Sequence, residues 1–346
     1  MSTMKVIRKH GSSRGMEIGI AEIPEPGPDE VVIKVKLVGI CGTDLHIYQW
    51  DQWSQNRIKP PVVIGHEFVG EVYEVGSNIT HLTKGERVSA EGHITCGYCR
   101  YCKDGRGHIC QDVKIIGIDR DGCFSEFVCV PVSNIWSVHP EIPDRYAALF
   151  DPIGNAMHTV MAQPVSMKTV LITGAGSIGL FAIPIAKANG AEKVIVVEPN
   201  AFKREIALKV GADLVLDSAE EDVPSKILNY TDGLGPDVLL EMSGNSNALR
   251  MGLNLLGNGG HVSLLGIPAK EIPLNLAEEV IFKGITIHGI TGRKMYETWY
   301  QCQSFLLKNG ESINPIITHT LPFDRLEEGF NLMETNQAAK VLIEVA

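Results

Sequence analysis

One stretch constrains the fold of this chain more than any other: Thr169-Val-Leu-Ile-Thr173, then Gly174-Ala-Gly176-Ser-Ile-Gly179, then a largely apolar run to Asn189. The first segment reads as a buried strand and the last as a helix, so the glycines fall at the turn between them. A second strand, Lys193-Val-Ile-Val-Val197, ends on Glu198, nineteen positions after Gly179. A tight strand–helix turn needs no ligand, but this order of elements and the acidic residue at that distance point to a dinucleotide. The backbone at Gly174, Gly176 and Gly179 would approach a pyrophosphate lying on the helix N-terminus. Glu198 would accept hydrogen bonds from the adenosine ribose hydroxyls and repel a 2′-phosphate, which favours NAD over NADP. Strands then recur at 213–216, 237–241, 261–265 and 285–288, with helices such as 200–210 and 246–256 between them. That alternation predicts a doubly wound parallel sheet. The uncharged run Thr169 to Ala186 approaches the length of a membrane span, but its three glycines and Pro184 break it.

Upstream of residue 150 the pattern is different. Val31 to Val38, Val69 to Val75, Arg87 to Ala90 and Phe124 to Val132 read as short strands, and no long helical period appears before about residue 145. Within this β-rich half, Cys96-Gly-Tyr-Cys99-Arg-Tyr-Cys102 is followed after seven residues by Cys110. Four thiolates so spaced can close a tetrahedral zinc site with no open position, the mark of a structural metal. An iron–sulfur cluster shares the first two gaps, but its third is shorter and is followed by Pro, where this chain has Gln111. Cys123, Cys129 and Cys302 read as small buried hydrophobes. Cys41-Gly-Thr43-Asp-Leu-His46 and Gly65-His66-Glu67 supply a thiolate, an imidazole and a carboxylate. Brought together, Cys41, His66 and Glu67 would form a three-ligand zinc site with one position open for chemistry. Thr43 and His46 set a hydroxyl and a titratable ring beside it as a proton exit.

The net charge of −10, without a basic block, disfavours a nucleic-acid partner. The first ten residues lack the apolar core of a signal peptide, and four of the eight cysteines crowd into one metal-type cluster. A cytoplasmic protein without a membrane partner is expected.

Together these motifs resemble the zinc-dependent medium-chain alcohol dehydrogenases over essentially the whole chain. The segments Ile47-Tyr-Gln-Trp50, Trp53, Glu91-Gly-His93, Asp151-Pro-Ile-Gly-Asn155, Arg293, Trp299-Tyr300 and Pro315-Ile-Ile-Thr-His319 are similar to those of members that oxidise the 3-hydroxyl of L-threonine with NAD. The resemblance implies an α/β protein: a β-rich GroES-like catalytic domain, residues 1–153 and 296–346, and a Rossmann domain, 154–295, with the active site in the cleft between them. It implies a homotetramer, one catalytic and one structural zinc per chain, and NAD as cofactor. It makes Cys41, His66 and Glu67 the catalytic-zinc ligands and Cys96, Cys99, Cys102 and Cys110 the structural ones. Thr43 and His46 become a proton relay and Asp151 an acidic neighbour of the metal in a relay or supporting role. Ile178, Glu198, Lys203, Leu265, Gly266, Ile267, Ile290 and Thr291 become cofactor contacts. A polyol or vicinal diol is the alternative substrate, and a non-catalytic NAD-binding protein the alternative class.

Overall fold

The computed structural model describes residues 2–219 and 222–345. The chain forms two compact units: one runs to Asp151 and resumes at Ile317, and the other is Pro152–Ile316.

In the first unit the long strand Glu30–Gly39 is the centre of a seven-stranded sheet. Its alternation is broken by runs of apolar residues because both faces are largely covered, and Val31, Val32, Ile33, Val35 and Val38 are all buried. It pairs antiparallel with Glu67–Val75 in a register that sets Glu67 opposite Gly39. That register explains how two distant segments meet. Cys41 lies just past the end of one strand and His66 just before the start of the other, at the same edge of the pair. The strand Lys340–Glu344 then adds to the other side, with Leu342 opposite Gly39, and pairs in parallel with Ile317–Pro322. The C-terminal return thus completes the sheet begun at residue 30.

The expected strands of this half are present within a few residues. The short helices Gly42–Gln49 and Gln52–Arg57 are additions to the reading of the sequence. The inward residues of the first are Asp44, Ile47 and Tyr48, spaced i, i+3, i+4 as helix geometry requires. Because the first of them is a carboxylate, the apolar period is too short to see.

The second unit holds six parallel strands in the spatial order Leu214–Leu216, Lys193–Val197, Thr169–Thr173, Val238–Glu241, His261–Leu264, Thr286–Gly289. Numbered along the chain this is 3-2-1-4-5-6, the Rossmann order, with its switch between Thr169–Thr173 and Val238–Glu241. The uncharged run at 169–186 resolves into a strand and the helix Ser177–Ala188. Among the described residues no helix is long and apolar enough to cross a membrane.

Candidate active site and metal centres

Sheet register delivers three donors to one point. The ligand atoms of Cys41, His66 and Glu67 lie within 4.8 Å of one another, with His66 and Glu67 buried. Room for the Glu67 carboxylate exists only because residue 39 is glycine: a Cβ there would stand 2.2 Å from Glu67 Oε2. The same oxygen meets Lys340 Nζ at 2.5 Å, and that ammonium also donates to the Ile40 carbonyl at 2.8 Å. Lys340 and Glu67 are both almost fully buried. On the other side, the Cys41 N–H donates to Asp44 Oδ2 at 2.9 Å. Asp44 has no exposed surface, and its Oδ1 has no hydrogen-bond partner.

The charges in this pocket test whether a metal fits it. Burial alone would lower the pKa of His66, but the Cys41 sulfur and the carboxylates of Asp44 and Asp151 reverse the effect and raise it to about 10. Burial pushes Asp44 up to about 6. The pocket therefore draws in positive charge, and a proton supplies it when nothing else does. His66 Nδ1 is buried without a hydrogen-bond partner. A sulfur, a nitrogen and an oxygen donor around such a field fit zinc well. Asp151, 4% exposed, opens the helix Phe150–Met161 and contributes to the field at His66.

Thr43 and His46 are one turn apart on the helix Gly42–Gln49 and so share a face. His46 is exposed, and its Nδ1 lies 2.7 Å from Asp51 Oδ2. The other aromatic and basic candidates differ in exposure. Trp299 and Arg293 are buried, whereas Trp53 and Tyr300 are exposed. His93 pairs with the buried Glu91 at 3.0 Å.

The four-cysteine lobe is closed by the small hairpin of His93–Ile94 with Lys114–Ile115. Its sulfurs are 3.5 Å (Cys99–Cys102), 3.9 Å (Cys96–Cys102) and 4.0 Å (Cys99–Cys110) apart. Zinc–sulfur bonds of about 2.3 Å in a tetrahedron place sulfurs about 3.8 Å apart, whereas a disulfide needs about 2.05 Å. The backbone N–H groups of Cys96, Cys99 and Asp112 each donate to a lobe sulfur at 3.4 Å. Backbone N–H groups hold Cys99 down at about 6, while burial and its sulfur neighbours push Cys102 up to about 12. Four thiolates cannot coexist there without a cation, and zinc fits that requirement.

In the second unit, Gly174 has a φ of +90° at the end of its strand. A Cβ on Gly179 would meet the Gly174 carbonyl at 2.1 Å, while beside Gly176 the space is open. Glu198 is buried and clamps this turn, accepting from the Ala175 N–H at 2.6 Å and the Asn200 N–H at 3.0 Å. Gly174, Gly176, Glu198, Ser243 and Asn245 line a cavity of about 660 Å³. An open helix N-terminus beside a glycine-lined cavity with an acid on its wall fits a dinucleotide. Ile178 is half-buried in the first helical turn, and Lys203 is half-buried on the helix capped by Asn200. Leu265 and Gly266 are held by N–H donation to the Glu241 carbonyl at 3.0 Å, and Ile267 is 91% exposed. Ile290 and Thr291 follow the edge strand, where the Ile290 N–H donates to the Leu264 carbonyl at 2.9 Å.

Sequence reasoning passed over Gly39, Asp44, Lys340 and the buried Glu241, which accepts from the Ser243 N–H at 2.9 Å and the Gly244 N–H at 3.1 Å. Asp44 had a nearby signal in its place between two expected site residues, and Glu241 had one as the last residue of the strand read at 237–241.

Fold and site together define a zinc-type, dinucleotide-binding dehydrogenase built from a β-rich unit and a Rossmann unit. Residues 27–141 match the alcohol dehydrogenase GroES-like domain and residues 177–308 the zinc-binding dehydrogenase domain. The chain is 48% identical to an L-threonine 3-dehydrogenase of Caldanaerobacter subterraneus subsp. tengcongensis, across 98% of both chains. It is also 48% identical to an L-threonine 3-dehydrogenase of Pyrococcus horikoshii, again across 98% of both. Among solved structures it is similar to the 2R,3R-butanediol dehydrogenase of Bacillus subtilis, with a TM-score of 0.90, 28% identity and coverage of 99% and 100%. The chain belongs to the zinc-dependent medium-chain alcohol dehydrogenases.

Proposed function

We propose that the chain oxidises the 3-hydroxyl of L-threonine with NAD, giving 2-amino-3-oxobutanoate. The observation that carries this reading is near-half identity, over almost the full length, to relatives named for that reaction. In this reading Cys41, His66 and Glu67 would hold the catalytic zinc, and Cys96, Cys99, Cys102 and Cys110 the structural one. When bound, the zinc supplies Lewis acidity at the hydroxyl and NAD supplies the two-electron acceptor. The chain's own residues move the proton. Thr43 offers a hydroxyl beside the donor cluster, and His46, on the same helical face, passes the proton to water. Asp151 and Asp44 keep the pocket's field negative, and Lys340 balances Glu67. Glu198 and the Gly174–Gly179 turn bind the dinucleotide. Ile178, Lys203, Leu265, Gly266, Ile267, Ile290 and Thr291 complete its contacts.

In functional terms we assign residues 1–153 and 296–346 to the catalytic domain and 154–295 to the dinucleotide-binding domain. Packing groups 296–316 with the Rossmann unit, through contacts of the helix Glu297–Asn309 with Ser177–Ala188. The protein works as a cytoplasmic homotetramer on a small molecule, without nucleic-acid or membrane partners. Support for assembly comes from the edge strand Thr286–Gly289 and its neighbourhood, where Leu276, Ile281, Phe282 and Ile287 are exposed.

A vicinal diol is the second reading, favoured by the similarity to the butanediol dehydrogenase. NADH formation with L-threonine, D-threonine, sorbitol and 2,3-butanediol, with and without chelator, separates the two. L-threonine is expected to be the best substrate, and chelation to abolish turnover. Equal or faster rates on the diols would overturn the threonine assignment, and full activity after confirmed zinc loss would overturn the role of the metal.

A further inference from the structure

The helix Gly42–Gln49, which carries Thr43 and His46, ends in a strained turn. Its last residue leads into Trp50, whose φ of 58° and ψ of 47° are left-handed. Such a conformation is sterically unfavourable for a bulky residue in a way that glycine would not be. The turn is held by the Trp50 N–H donating to the His46 carbonyl at 3.0 Å, and Lys9 Nζ lies 4.8 Å from the Trp50 ring centre. Its geometric result is to fold the next residue, Asp51, back against His46.

Asp51 is fixed there twice over. Its Oδ1 accepts the Ser54 N–H at 2.9 Å as the N-cap of the helix Gln52–Arg57. Its Oδ2 faces His46 Nδ1 at 2.7 Å, and Trp53 stands edge-on to the imidazole with centroids 6.4 Å apart. Other charged groups on the neighbouring elements face elsewhere. Asp44 is buried on the far side of the helix. Arg57 is held by Asp119, and Glu334 by Arg14 and Gln49. Glu327 accepts from Tyr48. Among the described residues Asp51 is the one acid within ion-pair distance of His46.

We propose that Asp51 is a positioning residue for the proton exit, fixing the tautomer of His46 so that Nε2 is the nitrogen that accepts the proton. A carboxylate on Nδ1–H leaves the lone pair on Nε2 and stabilises the imidazolium that forms. The proton taken from the substrate hydroxyl, by way of Thr43, binds at Nε2. Because His46 is exposed, the same proton then leaves to water, and Asp51 stays ionised throughout. The proposal rests on the function given above, in which His46 is the last protein group on the proton's way out.

Asp51→Asn tests it with little disturbance to the fold, since Asn caps helices as well as Asp does. With Oδ1 still on Ser54, the group facing His46 becomes an NH2. That donor forces the ring proton onto Nε2 and removes the acceptor. The kcat for L-threonine is expected to fall about ten- to a hundredfold, with KM, NAD affinity, zinc content and Tm unchanged. Asp51→Ser, which keeps a cap but cannot reach the ring, should lower kcat less than Asn does. Nitrogen-15 NMR of His46, assigned with a His46→Gln variant, reads the tautomer without any substrate. The neutral ring should carry its proton on Nδ1 in the wild type and on Nε2 in Asp51→Asn. A wild-type kcat in Asp51→Asn, or an unchanged tautomer, would overturn the proposal. Failure of the wild type to oxidise L-threonine would instead overturn the function assigned above, and the NMR result would still decide the tautomer.

Discussion

The two clusters of metal-binding residues are built on opposite plans. The three-donor cluster draws Cys41, His66 and Glu67 from the ends of two paired strands, with Lys340 reaching in from a third some 270 residues later. Its donors differ in kind, it is largely buried, and Asp44, Asp151 and Lys340 set its charge. The cysteine lobe takes four identical donors from the single stretch 96–110, and all but Cys110 are partly exposed. Its charge is set by its own sulfurs and backbone N–H groups. A site of the first kind stands or falls with the sheet that assembles it, whereas one of the second kind can close locally around its ion. That difference suits one to chemistry at an open position and the other to holding a loop.

The sharpest way to break this contrast is to remove Lys340. Lys340→Met leaves Glu67 buried without its counter-charge, a change expected to cost about 3–5 kcal/mol, because both partners are almost wholly inside. Denaturant unfolding of the metal-free variant measures it. A loss below about 1 kcal/mol would mean that the pair does not hold the strand Lys340–Glu344 in place.

The lobe should respond through reactivity rather than global stability. After chelation at pH 7, Cys99, lowered to about 6, is mostly thiolate, while Cys102, raised to about 12, is not. Iodoacetamide followed by peptide mapping should label Cys99 first and Cys102 last. Uniform labelling of the four would show that the lobe collapses without its ion, so that the native hydrogen bonds no longer rank the thiols.

A smaller effect belongs to the second unit. His158 is buried, and its Nδ1 lies 2.8 Å from the Gly292 carbonyl. Burial outweighs that hydrogen bond and lowers the pKa of His158 below its usual 6.5. The folded state therefore binds this proton less readily than the unfolded chain does. The stability it contributes is present above pH about 6.5 and is lost as pH falls below that value. His158→Asn, which keeps a donor near the Nδ1 position, should flatten this part of the Tm–pH curve. An unchanged acid slope would assign the dependence to other groups.

Local sequence made the Rossmann unit easy to read. Its strands are short, the inner ones are apolar, and most are followed closely by a turn and helix, so the expected and observed strands agree to within about two residues. The cysteine lobe was legible for the same reason, since all four donors fall in one stretch. Asp44 and Lys340 were not. Asp44 occupies an inward helical position where an apolar residue would be expected. Lys340 stands at the head of Val-Leu-Ile, where a lysine would ordinarily mark the exposed end of a strand. Both owe their burial to partners far along the chain. Asp51 was masked differently: Asp ahead of a short helix reads as a cap, which it is, and nothing local reveals that its second oxygen faces His46.

What the sequence determined alone is therefore whatever short-range physics can specify. The period of apolar residues, the glycines at a strand–helix turn and the spacing of four thiols imply a doubly wound unit, a dinucleotide turn and a closed metal lobe. Tertiary structure decided the rest. The register of Gly39 against Glu67 brings Cys41 beside His66, and the returning strand places an ammonium against Glu67. A left-handed tryptophan folds Asp51 onto His46. Charges interact through space and are amplified by burial. The field around the three-donor cluster thus depends on which distant residues the sheet brings together, and one-dimensional spacing does not encode it.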